Sequence, residues 1–255
     1  MTHHHAGDDA PVSYPTYLKL SELLALQVPR SHPVHPDELL FIAVHQASEI
    51  WFKVILHEID QLVTHLQADE ALAALNTLKR LNGLMSIVSQ SLTALDTLPP
   101  QRFAEFRGYL GNSSGSQSDQ FRALEAASGL REPHFLQVLA DHGPIPAIVQ
   151  QALDRPTLQA LFLGMLARTQ TTLEAVYAAK ETTPWFLLAE ELLEYEQGFA
   201  KWRFLHVQLV ERIIGPFTGG TGGTLGAKYL SRTVSQRFFP ELWAVRARVY
   251  GAPHP

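Results

Sequence analysis

Helix-breaking residues are distributed unevenly along the chain, and this distribution constrains the fold more than any other sequence feature. Between Pro36 and Pro99 there is no further proline and a single glycine, Gly83. The windows 157–183 and 185–214 each contain one glycine and no proline. Their apolar residues recur with helical spacing, and the sequence offers no alternating strand pattern joined by hairpin turns. The sequence therefore predicts an all-α fold.

The pattern predicts the limits of individual helices and a single domain. The expected helices cover residues 36–67, 70–96, 103–110, a stretch beginning near 119, 157–180, 186–214 and, last, a short helix over 238–243. The chain contains no internal repeat and no obvious linker. We therefore expect residues 1–255 to form one helical bundle, with residues 1–35 as a flexible N-terminal arm.

Composition excludes several classes of function. The net charge of −5 argues against a nucleic-acid partner, because binding to phosphates requires a basic face. Cysteine is absent, so disulfides, Fe–S clusters and thiolate sites are excluded, whereas 12 histidines are available as metal ligands. The first 15 residues contain no apolar run typical of a signal peptide, and no unbroken apolar stretch approaches the ~18 residues of a membrane span. We expect a soluble cytoplasmic protein.

A histidine interrupts the apolar stripe of the helix expected over 186–214. His206 falls within a stripe formed by Leu188, Leu192, Tyr195, Phe199, Trp202, Leu209 and Ile213. A buried imidazole without a partner costs ~1–3 kcal/mol, so His206 must bind something. Two interpretations remain open from the pattern alone. The residue is either a core histidine bonded to a carbonyl group, which is the commoner case, or an axial ligand of haem iron in an apolar pocket.

Two further side chains could act on a ligand. His45 shares a helix face with Phe41 and is suited to be a general base or a hydrogen-bond acceptor, although a satisfied core histidine is the commoner outcome. Arg107 follows Phe103 by four residues, beside the serine-rich loop 111–118. Arginine is the side chain best suited to a bidentate carboxylate clamp, and the alternative is a surface salt bridge.

Two loop motifs give weaker signals. The glycine-rich loop 219–226 could surround an anion with backbone N–H groups, but a plain flexible loop is at least as common. It lacks the Gly-Lys-Ser/Thr ending of a P-loop. The tract Ser114-Gly115-Ser116 follows no predicted strand, so a serine hydrolase is not indicated.

Several segments, in order along nearly the whole chain, match the motifs of one known family. Residues 41–51 read FIAVHQASEIW, and EFRGYL at 105–110 leads into SGSQSDQFR at 114–122. Further matches are KWRFLH at 201–206 with VER at 210–212, GTGG at 220–223 and YPTYL at 14–18. Together these segments resemble the tryptophan 2,3-dioxygenase family, whose signature includes FIxxHQxxELW.

The resemblance implies both an activity and a set of site residues. Members of this family are helical proteins, usually homotetramers, that contain haem b with ferrous iron in the active form. They cleave the C2–C3 bond of the indole of L-tryptophan with O₂ and give N-formyl-L-kynurenine. By position, the implied roles are: axial iron ligand, His206; partner of the indole N–H, His45; aromatic pocket walls, Phe41 and Phe103; carboxylate clamp, Arg107; amino-acid contact, Thr221; haem contact, Ser114; and arm residues reaching a neighbouring subunit, Tyr14 and Tyr17.

The chain also departs from the family pattern. Ser116 stands where a phenylalanine is usual, Leu92 stands where a tryptophan is common, and the glycine loop after Gly215 is one residue longer. These changes allow an alternative, a haem mono-oxygenase acting on a methylated or otherwise modified tryptophan or indole in a biosynthetic pathway. A haem-binding sensor without turnover is a third possibility, but a sensor of gas has no need for a carboxylate clamp such as Arg107.

Overall fold

The computed structural model describes residues 12–141, 143–179, 181–216 and 231–251. Within these ranges it contains α-helices and short 3₁₀ turns and no β-strand, which confirms the all-α prediction. Thr221 and the glycine loop 219–226 lie outside the described residues. The single-domain assignment for 1–255 stays a prediction.

The helices vary widely in length. They are α1 Tyr14–Tyr17, α2 Leu20–Leu23, α3 Glu38–Gln67, α4 Ala71–Thr93, α5 Pro100–Arg107, α6 Asp119–Ser128, α7 Pro133–Asp141, α8 Ala147–Asp154, α9 Leu158–Arg168, α10 Leu173–Ala178, α11 Pro184–Ile214 and α12 Pro240–Tyr250. Short 3₁₀ turns cover Ala94–Thr97, Gly108–Leu110 and Gly115–Gln117.

The three longest helices, α3, α4 and α11, build the centre of the molecule. Helix α4 packs along both of the others, and its apolar side chains meet theirs in one core. Fully buried members of that core are Ile55, Ile59, Leu62, Leu78, Leu81, Leu188 and Leu192. Asn82 of α4 donates to a carboxylate oxygen of Glu191 on α11 at 2.7 Å, which fixes the register of these two helices.

The prediction of one helix over 157–180 was wrong, because the chain breaks between α9 and α10. Gln170 has a φ of 54°, a left-handed conformation that no helix interior contains. The Thr169 hydroxyl donates to the Met165 carbonyl, and the Thr172 hydroxyl caps α10 by accepting from the amide of Ala175 at 3.1 Å. Threonine hydroxyls that bond to the backbone compete with helix continuation. The last helix, α12, is longer than the predicted 238–243.

Helix α3 has 30 residues, and its most apolar window of 18 residues has a mean hydropathy of 1.5, so its length and composition would allow it to cross a membrane. One such helix is weak evidence for a membrane span, because the core helix of a soluble protein meets the same criterion. Only 17% of that window is buried, whereas α3 as a whole packs against α4, α6 and α9. The absence of a membrane segment stays a prediction.

The end of the arm is fixed to the start of α3 by one buried carboxylate. Glu38 is 1% exposed and accepts from the amide of Arg30 at 2.7 Å, from the amide of Ser31 at 3.0 Å and from the hydroxyl of Ser31 at 2.5 Å. Burial by itself raises the pKa of Glu38, but these hydrogen bonds outweigh it and hold the pKa below its usual value of 4.5. We call this contact the Glu38 anchor.

The Glu38 anchor predicts an acid-dependent loss of stability. Because the folded pKa is lowered, the anchor contributes fully above about pH 5, and its contribution is lost as pH falls through 4.5 towards the lower folded pKa. Glu38→Gln should destabilise the protein by about 1–2 kcal/mol at pH 7. Urea unfolding at pH 7, 5 and 4 should show this difference shrinking with falling pH. Exposed Glu22→Gln is the control, and a difference that is constant with pH would refute the role of the anchor.

Candidate functional site

The His206 ring lies beside that of Trp202, one helical turn earlier on α11. The two rings have centroids 5.2 Å apart. Burial lowers the pKa of His206 to about 4, with smaller contributions from His45 and Arg122. Solvent nevertheless reaches part of the side chain. A ring that is surrounded by protein but still accessible lies in a cleft, and at neutral pH it carries a free lone pair.

Apolar side chains cluster next to Trp202, the ring that contacts His206. A small core of Val44, Leu92, Leu95 and Leu209 lies behind it. The side chains packed on that core are only partly buried, and they include Leu40, Phe41, Trp202, Leu205 and Ile213. Because large apolar residues normally complete a core, this arrangement leaves room for an apolar group.

His45 of α3 offers a hydrogen-bond acceptor to the same cleft. Its Nδ1 lies 2.7 Å from the carbonyl oxygen of Phe41. A carbonyl oxygen can only accept, so Nδ1 carries the hydrogen and Nε2 is left as an acceptor. Desolvation by the surrounding protein lowers the pKa of His45, although the bond to Phe41 and the charge of Glu49 act in the opposite direction, and the residue as a whole remains exposed. The ring is therefore neutral, and its Nε2 can accept from an N–H group.

Three phenylalanines form an aromatic wall next to His45. The Phe41 ring lies 4.2 Å from that of His45 and 5.6 Å from that of Phe103, between centroids. Phe106 contacts both of these phenylalanines, at 5.8 and 5.3 Å. Arg107 follows on α5, one turn after Phe103, and is partly exposed. The structure thus brings Phe41, His45 and Phe103 together as predicted neighbours, with Arg107 on the adjoining turn.

The serine-rich loop is held against α6. The hydroxyls of Ser114 and Ser116 lie 3.0 Å apart, and Ser114 accepts from the Ser116 amide at 3.3 Å. Arg122 donates from Nε to the Ser116 carbonyl at 3.4 Å. Gln120 donates to the backbone oxygen of Glu49 at 2.9 Å and to its carboxylate at 2.8 Å. Through α6, these bonds connect the loop to α3, the helix that carries His45.

The arm residues lie apart from these contacts. Tyr14 and Tyr17 of α1 are 73% and 75% exposed. Val12, Leu24 and Val28 are also more than half exposed. So much apolar surface on a short segment is typical of a surface that another chain covers.

The comparison with protein families decides the assignment. The family model described as tryptophan 2,3-dioxygenase matches residues 1–141 and 163–249. The chain belongs to the tryptophan 2,3-dioxygenase family. A protein of that name from Kineococcus radiotolerans is 39% identical over 93% of this chain and 91% of its own length. A protein of the same name from Bacillus thuringiensis is 38% identical over 96% of this chain and 95% of its own length. One from Herpetosiphon aurantiacus is 37% identical over 92% of this chain and 98% of its own length.

The residues of the cleft fit the haem that membership of the tryptophan 2,3-dioxygenase family implies. Haem b needs an apolar slot and one neutral imidazole as an axial ligand, and the cleft around His206 supplies both. In the part of the chain that the structure describes, no group of three or more His, Asp or Glu side chains could enclose a bare metal ion.

Sequence reasoning missed the charged groups behind the site. Arg122 and Arg203 share the carboxylate of Glu125, at 2.6 and 2.7 Å. Arg122 and Arg203 fall inside the segments that resemble the family, but their residue types alone do not reveal burial. Phe106 was also missed, although its place three residues after Phe103 puts both on one helix face.

Proposed function

We propose that this chain is a haem-dependent dioxygenase that cleaves the C2–C3 bond of the indole of L-tryptophan with O₂ and yields N-formyl-L-kynurenine. One observation carries the proposal: Trp202, whose ring contacts His206, and Phe41, whose ring contacts His45, pack on the same small apolar core. The reaction is inferred from membership of the family, and the two histidines are side chains that suit it.

The chain would bind the cofactor through His206, with Ser114 as a further contact. Ferrous haem, when bound, supplies the binding and activation of O₂. The partly exposed apolar side chains around the cleft keep bulk water from the reacting face. The neutral state of His206 matters here, because a protonated imidazole has no lone pair for iron.

The remaining site residues would orient the substrate. His45 accepts the indole N–H at Nε2, while Phe41 and Phe103 hold the flat face of the ring. Arg107 binds the carboxylate of the amino acid, and we assign Thr221 to the same end of the substrate from its sequence position. Fixing both ends of the substrate places the C2–C3 bond, and such orientation is the main contribution a protein makes to cofactor chemistry.

Product analysis with ¹⁸O₂ tests this proposal. The ferrous enzyme should convert L-tryptophan to a product that contains two labelled oxygens. A product with one label would identify the mono-oxygenase alternative instead, and haem binding without turnover of tryptophan or methylated tryptophans would identify a sensor. The names of the relatives do not favour the mono-oxygenase. Leu92 is 7% exposed and belongs to the small core that also contains Val44, Leu95 and Leu209.

The proposed role of His45 predicts a change in substrate preference. His45→Ala should retain haem and lower kcat/KM for tryptophan by roughly 3- to 10-fold, the value of one hydrogen bond. Activity with 1-methyltryptophan, which has no indole N–H to donate, should change less. Steady-state kinetics with both substrates measures the ratio. His57→Ala, at an exposed position of the same helix, is the control, and an unchanged ratio in His45→Ala would exclude the proposed contact.

We further propose a homotetramer in which the arm, with Tyr14 and Tyr17, reaches a neighbouring subunit. The exposure of both rings supports this assignment. Light scattering should therefore give about four times the 28.4 kDa of one chain, and Tyr14→Ala with Tyr17→Ala should reduce activity. A fully active monomer would contradict the proposed tetramer. A cytoplasmic location and the absence of a nucleic-acid partner remain predictions from the sequence.

A further inference from the structure

The last turn of α5, which carries Arg107, is bonded to the end of the arm on both sides of that residue. Two positions earlier, the carboxylate of Glu105 lies 2.9 Å from Nε2 of His35. Two positions later, Tyr109 donates its hydroxyl to the carbonyl oxygen of His32 at 2.8 Å. Both bonds end on the segment that leads into α3, so the turn with the proposed clamp is fastened to the start of that helix.

A backbone group fixes the tautomer of His35. Its Nδ1 lies 3.2 Å from the amide nitrogen of Asp37, and an amide N–H can only donate. Nδ1 is therefore an acceptor, and in the neutral ring the hydrogen is on Nε2, which donates it to Glu105. The side chain of His35 is 10% exposed, whereas that of Glu105 is 63% exposed. The enclosed ring is thus held at both nitrogens, with its donor directed at α5.

The His35 ring also contacts the aromatic wall of the site. Its centroid lies 5.1 Å from that of Phe106, which is fully buried. Phe106 in turn contacts Phe41 of α3 and Phe103 of α5. Apolar packing is non-directional and lets a short helix rotate about its own axis, whereas a hydrogen bond at its outer side does not. His35 therefore adds to this packing the directional contact that fixes the rotation of α5.

We propose that His35 is a positioning residue that, through Glu105, fixes the orientation of Arg107 and so sets the preference of the enzyme for a substrate with a carboxylate. The inference rests on the proposed function, since it takes Arg107 as the carboxylate clamp. A guanidinium clamp accepts a carboxylate only over a narrow range of directions, so a small rotation of α5 weakens binding. His35 itself touches neither the substrate nor the cofactor. It acts on the end of the substrate opposite to the one that His45 binds.

The relative affinities for tryptophan and tryptamine, an indole amine without a carboxylate, test the inference. Spectral titration of the ferrous holoenzyme measures both. The wild type should prefer tryptophan at least ~10-fold, the effect of one charge-assisted pair. Glu105→Ala removes the acceptor at an exposed position and should reduce this preference at least ~3-fold, the effect of one hydrogen bond. Glu105→Gln retains an acceptor for Nε2 of His35 and should keep the preference.

Variants of His35 separate positioning from stability. His35→Leu keeps an apolar side chain against Phe106 but loses the donor, and it should reduce the preference as much as Glu105→Ala does. His35→Gln restores a donor directed at Glu105 and should recover most of the preference. Because the two residues act as one unit, the double variant His35→Leu with Glu105→Ala should lose no more than either single variant. A merely structural contact would weaken binding of both ligands equally and leave their ratio unchanged.

Arg102→Leu is the control, since it breaks another bond between α5 and the start of α3 but lies in the first turn of α5, away from Arg107. It should retain the preference. An undiminished ratio in Glu105→Ala would overturn the inference, and this exposed variant decides the question even where His35→Leu does not fold. A loss in Glu105→Gln as large as that in Glu105→Ala would also overturn it. A wild type that does not distinguish the two ligands would instead refute the carboxylate clamp of the proposed function.

Discussion

Replacing His206 with alanine should abolish stoichiometric haem binding. His206 stands at the position of the family's iron ligand, whereas His45, the other imidazole of the cleft, bonds to the Phe41 carbonyl and is assigned to the substrate. Without His206, haem would be held by apolar contacts alone. Reconstitution of the variant with one equivalent of haem should leave no protein-bound Soret band after gel filtration. Added imidazole should partly restore the band, because the vacated space admits a free ligand.

The matched comparison for this prediction is His45→Ala. His45 faces the same cleft but bonds to the Phe41 carbonyl and offers its other nitrogen to substrate. That variant should therefore bind haem as the wild type does. A normal Soret band and unchanged ferrous spectra in His206→Ala would refute the assignment of the axial ligand.

Replacing Arg107 with leucine should weaken tryptophan binding at least ~10-fold and should also lower turnover. A charge-assisted pair with a carboxylate is worth ~1.5–3 kcal/mol, and ~1.4 kcal/mol corresponds to one decade in affinity. Loss of the clamp also lets the indole move against Phe41 and Phe103, so that fewer bound molecules are aligned. Spectral titration of the ferrous enzyme measures the affinity, and steady-state kinetics measures the turnover.

Tryptamine makes this test specific, because it has the indole and lacks the carboxylate. Arg107→Leu should affect tryptamine binding far less than tryptophan binding. Arg102→Leu is the control on the same helix, since Arg102 pairs with Asp37 instead of facing the substrate site. Unchanged tryptophan affinity in Arg107→Leu would refute the proposed contact between Arg107 and the substrate carboxylate. The main support for an amino-acid substrate would then be lost.

The long helices could be predicted because their signals are local. Helices α3, α4 and α11 extend over stretches almost free of proline and glycine, and their apolar residues recur with the helical period. Helices α7 and α8 were not predicted, because they lie between closely spaced Pro and Gly residues where no periodic window is long enough. The break between α9 and α10 depends on hydroxyl groups bonding to the backbone, which composition alone does not reveal.

The site could be predicted only in part. The apolar stripe of α11 singled out His206 but left two interpretations open, and the resemblance to a family was needed to choose between them. The tautomer of His45 depends on a bond to Phe41 that is local, four residues back, and in principle readable from the sequence. The bond between Glu125 and Arg203 could not be predicted, because these residues are 78 positions apart and only the folded chain brings them together.

The Glu38 anchor connects the arm, which we propose reaches a neighbouring subunit, to the helix that carries the proposed substrate contacts. The carboxylate that holds Arg30 and Ser31 lies in the first turn of α3, three residues before Phe41. In the proposed assembly, a neighbouring chain bound to the arm would act on the same helix end that carries Phe41. Because linkage between two binding events is reciprocal, a substrate that favours the assembled arrangement of this helix end would strengthen binding of that neighbour by the same factor.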